Sequence, residues 1–300
     1  PPTFLLIHEP LAALPFQAVR FGWLAGTFAL FAWSMRPWVQ NPVQWVIVLA
    51  APAIAFHSHA GQTGFLVAAL LGFAMTGLRR NDRSGAVMAG VAIGFLTLKP
   101  HLWALLPLFL LIERRWTVFA SAAATTGFLV ILSLLAYGVG PWQAMFASVA
   151  TGYAQNHADQ FHLFAKMGNV DGFLRFFGLE AARSIVLVTI MAAALAAMVA
   201  MRTMGVPFAL RLSFAVTASF VIAPHNMIYD HTLFVPLAVM LFLHPGTAQQ
   251  NGLKGVLLLL LLWPALYALI PGLDAYPFSV GVVALFAGTL LATAWRTRTL

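Results

Sequence analysis

The chain reads as an all-α, polytopic integral membrane protein of about ten spans, and three observations carry that reading. Hydrophobic residues make up 61% of the 300 positions and charged residues 8%, whereas a soluble domain is about a quarter charged. Apolar runs of helical length recur from end to end. The basic residues cluster at alternate ends of those runs, as the positive-inside rule requires of a chain that threads back and forth. The net charge of +8 therefore belongs to membrane topology, and no nucleic-acid partner is implied. With no cysteine there is no disulfide framework and no thiolate metal site.

The spans follow from where the charges fall, within a single membrane-embedded domain over 1–300. Residues 14–35 run inward to Arg36, 43–56 return outward, and 62–78 run inward to Arg79, Arg80 and Arg83. Residues 85–98 and 101–112 leave that cluster and come back to Arg114 and Arg115. The run 116–136 leads out to a long connection over 137–182, and 183–201 returns to Arg202. Then 207–223 and 231–243 meet at an outer corner, while 253–270 starts at Lys254 and 278–295 ends at Arg296 and Arg298. This alternation puts eight of the nine histidines outside, with Glu9, Lys99 and Asp274. Tryptophans such as Trp23, Trp38, Trp116 and Trp295 fall near span ends, where an interfacial belt anchors them.

Between the arginine clusters, Gly85 to Ile112 is about 28 residues, too many for one span and few for two. Lys99-Pro100 sits at its middle, so a broken hairpin is predicted: proline removes a backbone donor and disfavours helix at Lys99. Each arm of about 13 residues rises roughly 20 Å, which carries Lys99 toward the outer face. An ammonium at that depth wants an anion, and the candidate is the phosphate of a lipid-linked substrate, with snorkelling to the headgroups as the alternative.

Two further polar knots lie on the outer side. His57-Ser58-His59-Ala60-Gly61-Gln62-Thr63-Gly64 joins two spans, and His57 and Gln62 are candidates to line a donor phosphate site with Lys99. A His-x-His pair without a third ligand is weak evidence for a metal, and none is assigned. His225-Asn226-Met227-Ile228-Tyr229-Asp230-His231 gathers an amide, a phenol, a carboxylate and two imidazoles. Asn226, Tyr229, Asp230 and His231 are candidates for sugar or acceptor binding, against the plainer reading that Asp230 caps a helix.

In the long connection Tyr153, Gln155, Asn156, His157, Asp159, His162, Lys166, Asn169 and Asp171 are interleaved with aromatics, which predicts short interfacial helices. Asp159 and Asp171 are acceptor-binding candidates against solvated loop charge, and Glu113 beside Arg114 and Arg115 reads as a cytoplasmic turn.

At these constellations the sequence resembles glycosyltransferase family 87, a membrane group of GT-C architecture that includes polyprenol-phosphate-mannose-dependent mannosyltransferases. The resemblance rests on PPTFLLIHEPLAALPF from Pro1, GQTGFLVAALLGFAM from Gly61, AGVAIGFLTLKPHLWALLPLFLLIERRW from Ala89 and APHNMIYDHTLFVPLAV from Ala223. It implies transfer of a hexose, mannose by default, from a polyprenyl phosphate to a lipid or glycan acceptor at the outer face of the plasma (inner) membrane, without a cofactor. The resemblance also implies a catalytic base on a first outer loop, expected upstream of Pro1, so none of the acids in the chain is assigned that role. A transporter or flippase for a lipid-linked or anionic solute is the alternative, since a broken helix with a midplane charge also marks transport sites. The absence of an internal inverted repeat and the one-sided gathering of polar groups weigh against it.

Overall fold

The computed structural model describes residues 1–80, 82–150, 161–243 and 250–297. Every apolar segment expected from the sequence is helical, and no strand occurs among the described residues. Among the described residues four helices are long and apolar enough to cross a membrane unaided: Trp116–Tyr137, Glu180–Thr203, Asn251–Leu269 and Phe278–Thr297. The count of about ten spans is therefore not carried by helix length, because a full crossing takes about 20 residues. The shorter apolar helices include Gly64–Arg79, Phe208–Ile222 and Ile228–Leu243. They are the interior of the bundle, whereas the apolar windows of the first two long helices are only 22% and 17% buried. Phe128, Ile131, Leu135, Ile185 and Val188 on those helices point outward, as a lipid-facing surface requires.

Proline and glycine set the interruptions. The run expected over 43–56 is two helices, Pro42–Leu49 and Pro52–Ala60. Asn41 caps the first by accepting from Gln44 N–H at 2.9 Å, and Pro52 restarts the second at a position whose amide would have been orphaned. Gly61, at φ 63°, ends it in the left-handed conformation that lets the chain turn into Gly64–Arg79.

Small residues bring the central helices together. A Cβ on Gly77 would run into the Gly85 carbonyl, and one on Gly90 would lie 2.5 Å from Ser121 Cβ and from the Val118 carbonyl. Gly94 stands as closely against Thr125. Gly64–Arg79, Arg83–Phe95 and Trp116–Tyr137 therefore pack backbone to backbone, the arrangement that works where lipid supplies no hydrophobic drive. The core beyond them is filled by Phe31, Phe65, Phe109, Phe220, Phe234 and Phe286, all fully buried.

The broken hairpin is present. Arg83–Phe95 passes through one 3-10 turn, Leu96–Leu98, into an extended Lys99, then a second, Pro100–Trp103, and Leu106–Ile112. The backbone groups freed by the break find side chains: Leu105 N–H donates to Ser219 Oγ at 3.1 Å.

The long connection forms Gly140–Ala150, Phe161–Ala165 and Val170–Phe176. Tyr153, Gln155, Asn156, His157 and Asp159, and the side chains of His59, His162 and Asp274, lie outside the described residues. Pro2–Ala12, not anticipated as a helix, packs against Trp116–Tyr137.

Candidate functional site

Lys99 faces a carboxylate 131 positions away. Its Nζ donates to Asp230 Oδ1 at 2.5 Å, with the Lys99 side chain 13% exposed and Asp230 1%. The backbone prepares both partners. Pro100 holds Lys99 out of the helix at φ −140°, and Asp230 Oδ2 accepts from Met227 N–H at 3.1 Å at the start of the 3-10 turn Ile228–Leu233. The anion that the buried ammonium needs is therefore supplied first by the protein itself. Asp230 uses one of the three N–H donors of Lys99, and the Tyr229 ring stands 5.3 Å from Nζ.

Imidazoles surround the pair. His57 is fully buried, its ring 4.4 Å from Phe65 and 6.5 Å from Tyr229. Phe65 N–H donates to His57 Nε2 at 3.3 Å, which puts the proton of the neutral ring on Nδ1, beside the Gln62 and Tyr229 backbone. Gly64 allows this placement, since a Cβ there would sit 2.6 Å from Nδ1. His101, two residues beyond Lys99, lies 6.3 Å from His225 and keeps Nε2 buried without a partner. Such unpaired polar atoms are uncommon in a finished core. In this chain His101 Nε2 is one of them, two residues from an ammonium that donates to a single carboxylate oxygen.

The family model of glycosyltransferase family 87 matches residues 1–224, about three quarters of the chain. The chain belongs to glycosyltransferase family 87. It is accordingly a membrane-embedded glycosyltransferase. No curated protein and no solved structure matches it. The match takes in the segments from Pro1, Gly61 and Ala89, and it stops six residues short of Asp230.

Within this family-87 chain the other candidates divide. Gln62 is exposed: its backbone carbonyl accepts from Trp23 Nε1 at 3.2 Å, and the residue lines a groove with Phe4 and Trp23. Asn226 is fully buried with both ends engaged, accepting from Gly168 N–H at 2.8 Å and donating to the Phe220 carbonyl at 2.7 Å. It ties the long connection to the corner. Asp230 and His231, adjacent in sequence, point apart. The His231 ring lies 5.5 Å from Phe220 and 5.6 Å from Phe234, beside the Leu260 backbone.

Asp171, read as an acceptor-binding candidate or a solvated loop charge, is neither, and Glu113, in the turn expected of it, holds a specific partner. Asp171 is 2% exposed, and the guanidinium nitrogens of Arg175 and Arg183 donate to its two oxygens, so it is neither solvated nor free for an acceptor. Glu113 is 7% exposed and holds Arg211 through two bonds of 2.7 Å, from Nε and from the terminal Nη2. The described residues gather no group of three His, Cys, Asp or Glu that would hold a metal ion. Sequence reasoning missed the Lys99–Asp230 pairing, although a signal existed: each is an isolated charge at the outer end of an apolar run.

Proposed function

We propose that the chain transfers a hexose, mannose in the first instance, from a polyprenyl-phosphate sugar to a lipid or glycan hydroxyl at the extracytoplasmic face of the plasma membrane. The observation that carries the reading is the Lys99–Asp230 pair, which brings a cation with spare donors to the outer corner of a family-87 chain. In the transfer the acceptor oxygen bonds to the anomeric carbon as the bond from that carbon to the phosphate oxygen breaks. The hydroxyl proton passes to a base, and the electron pair leaves on the polyprenyl phosphate. Charge thus develops on the phosphate, and a fixed ammonium in a water-poor site stabilises it more than bulk solvent would.

Asp230 in this scheme is a positioning residue. It fixes the Lys99 rotamer through a hydrogen bond of 2.5 Å. His57 and His101 offer the neighbouring buried nitrogens to the departing phosphate or to the sugar. The test is transfer from radiolabelled polyprenyl-phosphate mannose into membrane acceptors, comparing the full-length protein with Lys99→Ala at matched amounts of folded protein. Transfer lost with Lys99 is the expected result; unchanged transfer would remove Lys99 from the donor site.

A further inference from the structure

At the end of the bundle opposite the Lys99 pair, three interior helices stop together. Gly64–Arg79 ends there, Phe208–Ile222 begins there and Ile228–Leu243 finishes there, on the side that the positive-inside rule makes cytoplasmic. The first two, of 16 and 15 residues, rise about 24 Å, short of a hydrocarbon core of about 30 Å. A pocket of about 300 Å³ lies between these ends, lined by Met75, Leu212 and Met240 from the three helices and by Trp38, Arg79 and Phe208. Arg79 is the one charged residue in that lining. Its guanidinium lies over the Trp38 ring, 4.9 Å from the centre, and Trp38 is itself held by a bond from Nε1 to Thr76 Oγ1 at 2.8 Å. The arginines around it are matched by acids: Arg80 stands 3.6 Å from Asp82, and Arg202 and Arg211 share Glu113. Arg79 meets no carboxylate among the described residues. A guanidinium laid over a ring uses its face and keeps its N–H edge for an anion. Phe208–Ile222 starts at the same wall, behind Pro207 and without a side-chain cap, so the positive end of its dipole adds to the guanidinium.

We propose that this pocket holds an anionic phospholipid of the cytoplasmic leaflet, its phosphate on the N–H edge of Arg79 and the root of an acyl chain against Met75, Leu212 and Met240. The site lies at the opposite end from the sugar chemistry and does not depend on it. One cation and no acid in the lining favour a headgroup with net negative charge over a zwitterionic one. Apart from Arg79 and Gln40 the lining is apolar, which suits a lipid and gives a soluble phosphate nothing to fill. The cytoplasmic leaflet supplies anionic lipid at this depth, and basic pockets between helices on that side take such headgroups. Phe208 joins the pocket to the Glu113 clamp, since Arg115 and Arg211 stand 5.5 and 5.7 Å from its ring. A bound lipid therefore braces three helix ends against the clamp, and its presence should raise the thermal midpoint.

The experiment is native mass spectrometry of the purified full-length protein in detergent with equal amounts of phosphatidylglycerol and phosphatidylcholine, the thermal midpoint being read with each lipid alone. The unaltered chain should retain phosphatidylglycerol over phosphatidylcholine by about tenfold or more, the scale of one charge-assisted pair, and only phosphatidylglycerol should raise the midpoint. Arg79→Gln should abolish both preferences and Arg79→Lys should keep part of them; Arg79 is exposed, so the lipid-free variants should fold. Arg83→Gln removes the same charge from the same end without lining the pocket, and should change neither. Equal losses in Arg79→Gln and Arg83→Gln would reduce the attraction to diffuse surface charge and overturn the site. Phosphatidylcholine retained as well as phosphatidylglycerol would overturn the anionic headgroup, and release of phosphatidylglycerol by inorganic phosphate would make this a soluble-anion site and overturn the lipid.

Discussion

Two ion clusters tie the broken hairpin to the same later stretch of chain, and they are built in opposite ways. At the inner end Glu113 holds Arg211 through two bonds, Arg211 also donates to the Val206 carbonyl, and Arg202 stands at 3.6 Å from the same carboxylate. At the outer end Lys99 meets Asp230 through one bond, and His101 Nε2, buried two residues further on, has no hydrogen-bond partner. The first cluster spends its donors on the protein; the second leaves them over. Partly satisfied polar groups in a packed setting are unfavourable unless something else satisfies them, so the Glu113 cluster is a clamp, and the proposed function makes the Lys99 cluster a place for a ligand.

The sharpest way to break that contrast is to remove both outer charges together. Lys99→Ala alone strands a buried carboxylate, which costs about 3–5 kcal/mol and confuses folding with chemistry. Lys99→Met with Asp230→Leu replaces the pair by apolar groups of similar size, which is often neutral for stability. The expected outcome is a thermal midpoint near that of the unaltered chain and transfer down about 100-fold or more, the scale of losing one stabilising donor. If transfer returned with the fold, the outer pair would be another clamp and the contrast would vanish.

Glu113→Gln should do the reverse. It leaves Arg211, 11% exposed, without its carboxylate, at a cost of about 3 kcal/mol or more, while Arg202, half exposed, contributes little. Folded yield and the thermal midpoint in detergent should drop, and transfer per folded molecule should hold. A specific loss of transfer at an undiminished midpoint would place Glu113 in the chemistry.

The same contrast shows what a sequence discloses. The apolar runs, the break at Lys99-Pro100 and the polar corners at His57 and Asp230 were legible, because hydrophobic periodicity, proline and isolated charge are local signals. That Lys99 faces Asp230, that Glu113 faces Arg211 and that Asp171 faces Arg183 were not. Such pairs depend on which helices the small residues bring together, and Gly77, Gly90 and Gly94 carry no mark in the sequence naming their partners. Asp230 and His231 show the same limit: neighbours in one 3-10 turn, they face Lys99 and Phe220 respectively, which their adjacency alone does not disclose.

A milder test separates two glycines of one corner. Gly64→Ala places a methyl 2.6 Å from His57 Nδ1 and 2.7 Å from Cε1, and His57 is too buried to swing away without dropping its bond to Phe65. Donor KM should rise about tenfold, the equivalent of roughly one hydrogen bond. Gly61→Ala, three residues earlier, meets no atom within 4 Å but forces a side chain to φ 63°. That costs about 1–2 kcal/mol of stability and touches nothing at the pair, so KM should hold while the thermal midpoint falls. Equal KM changes in the two variants would mean that the corner acts through its backbone path. A donor site lined by His57 requires that Gly64→Ala alone move KM, because only that methyl reaches the imidazole beside Lys99.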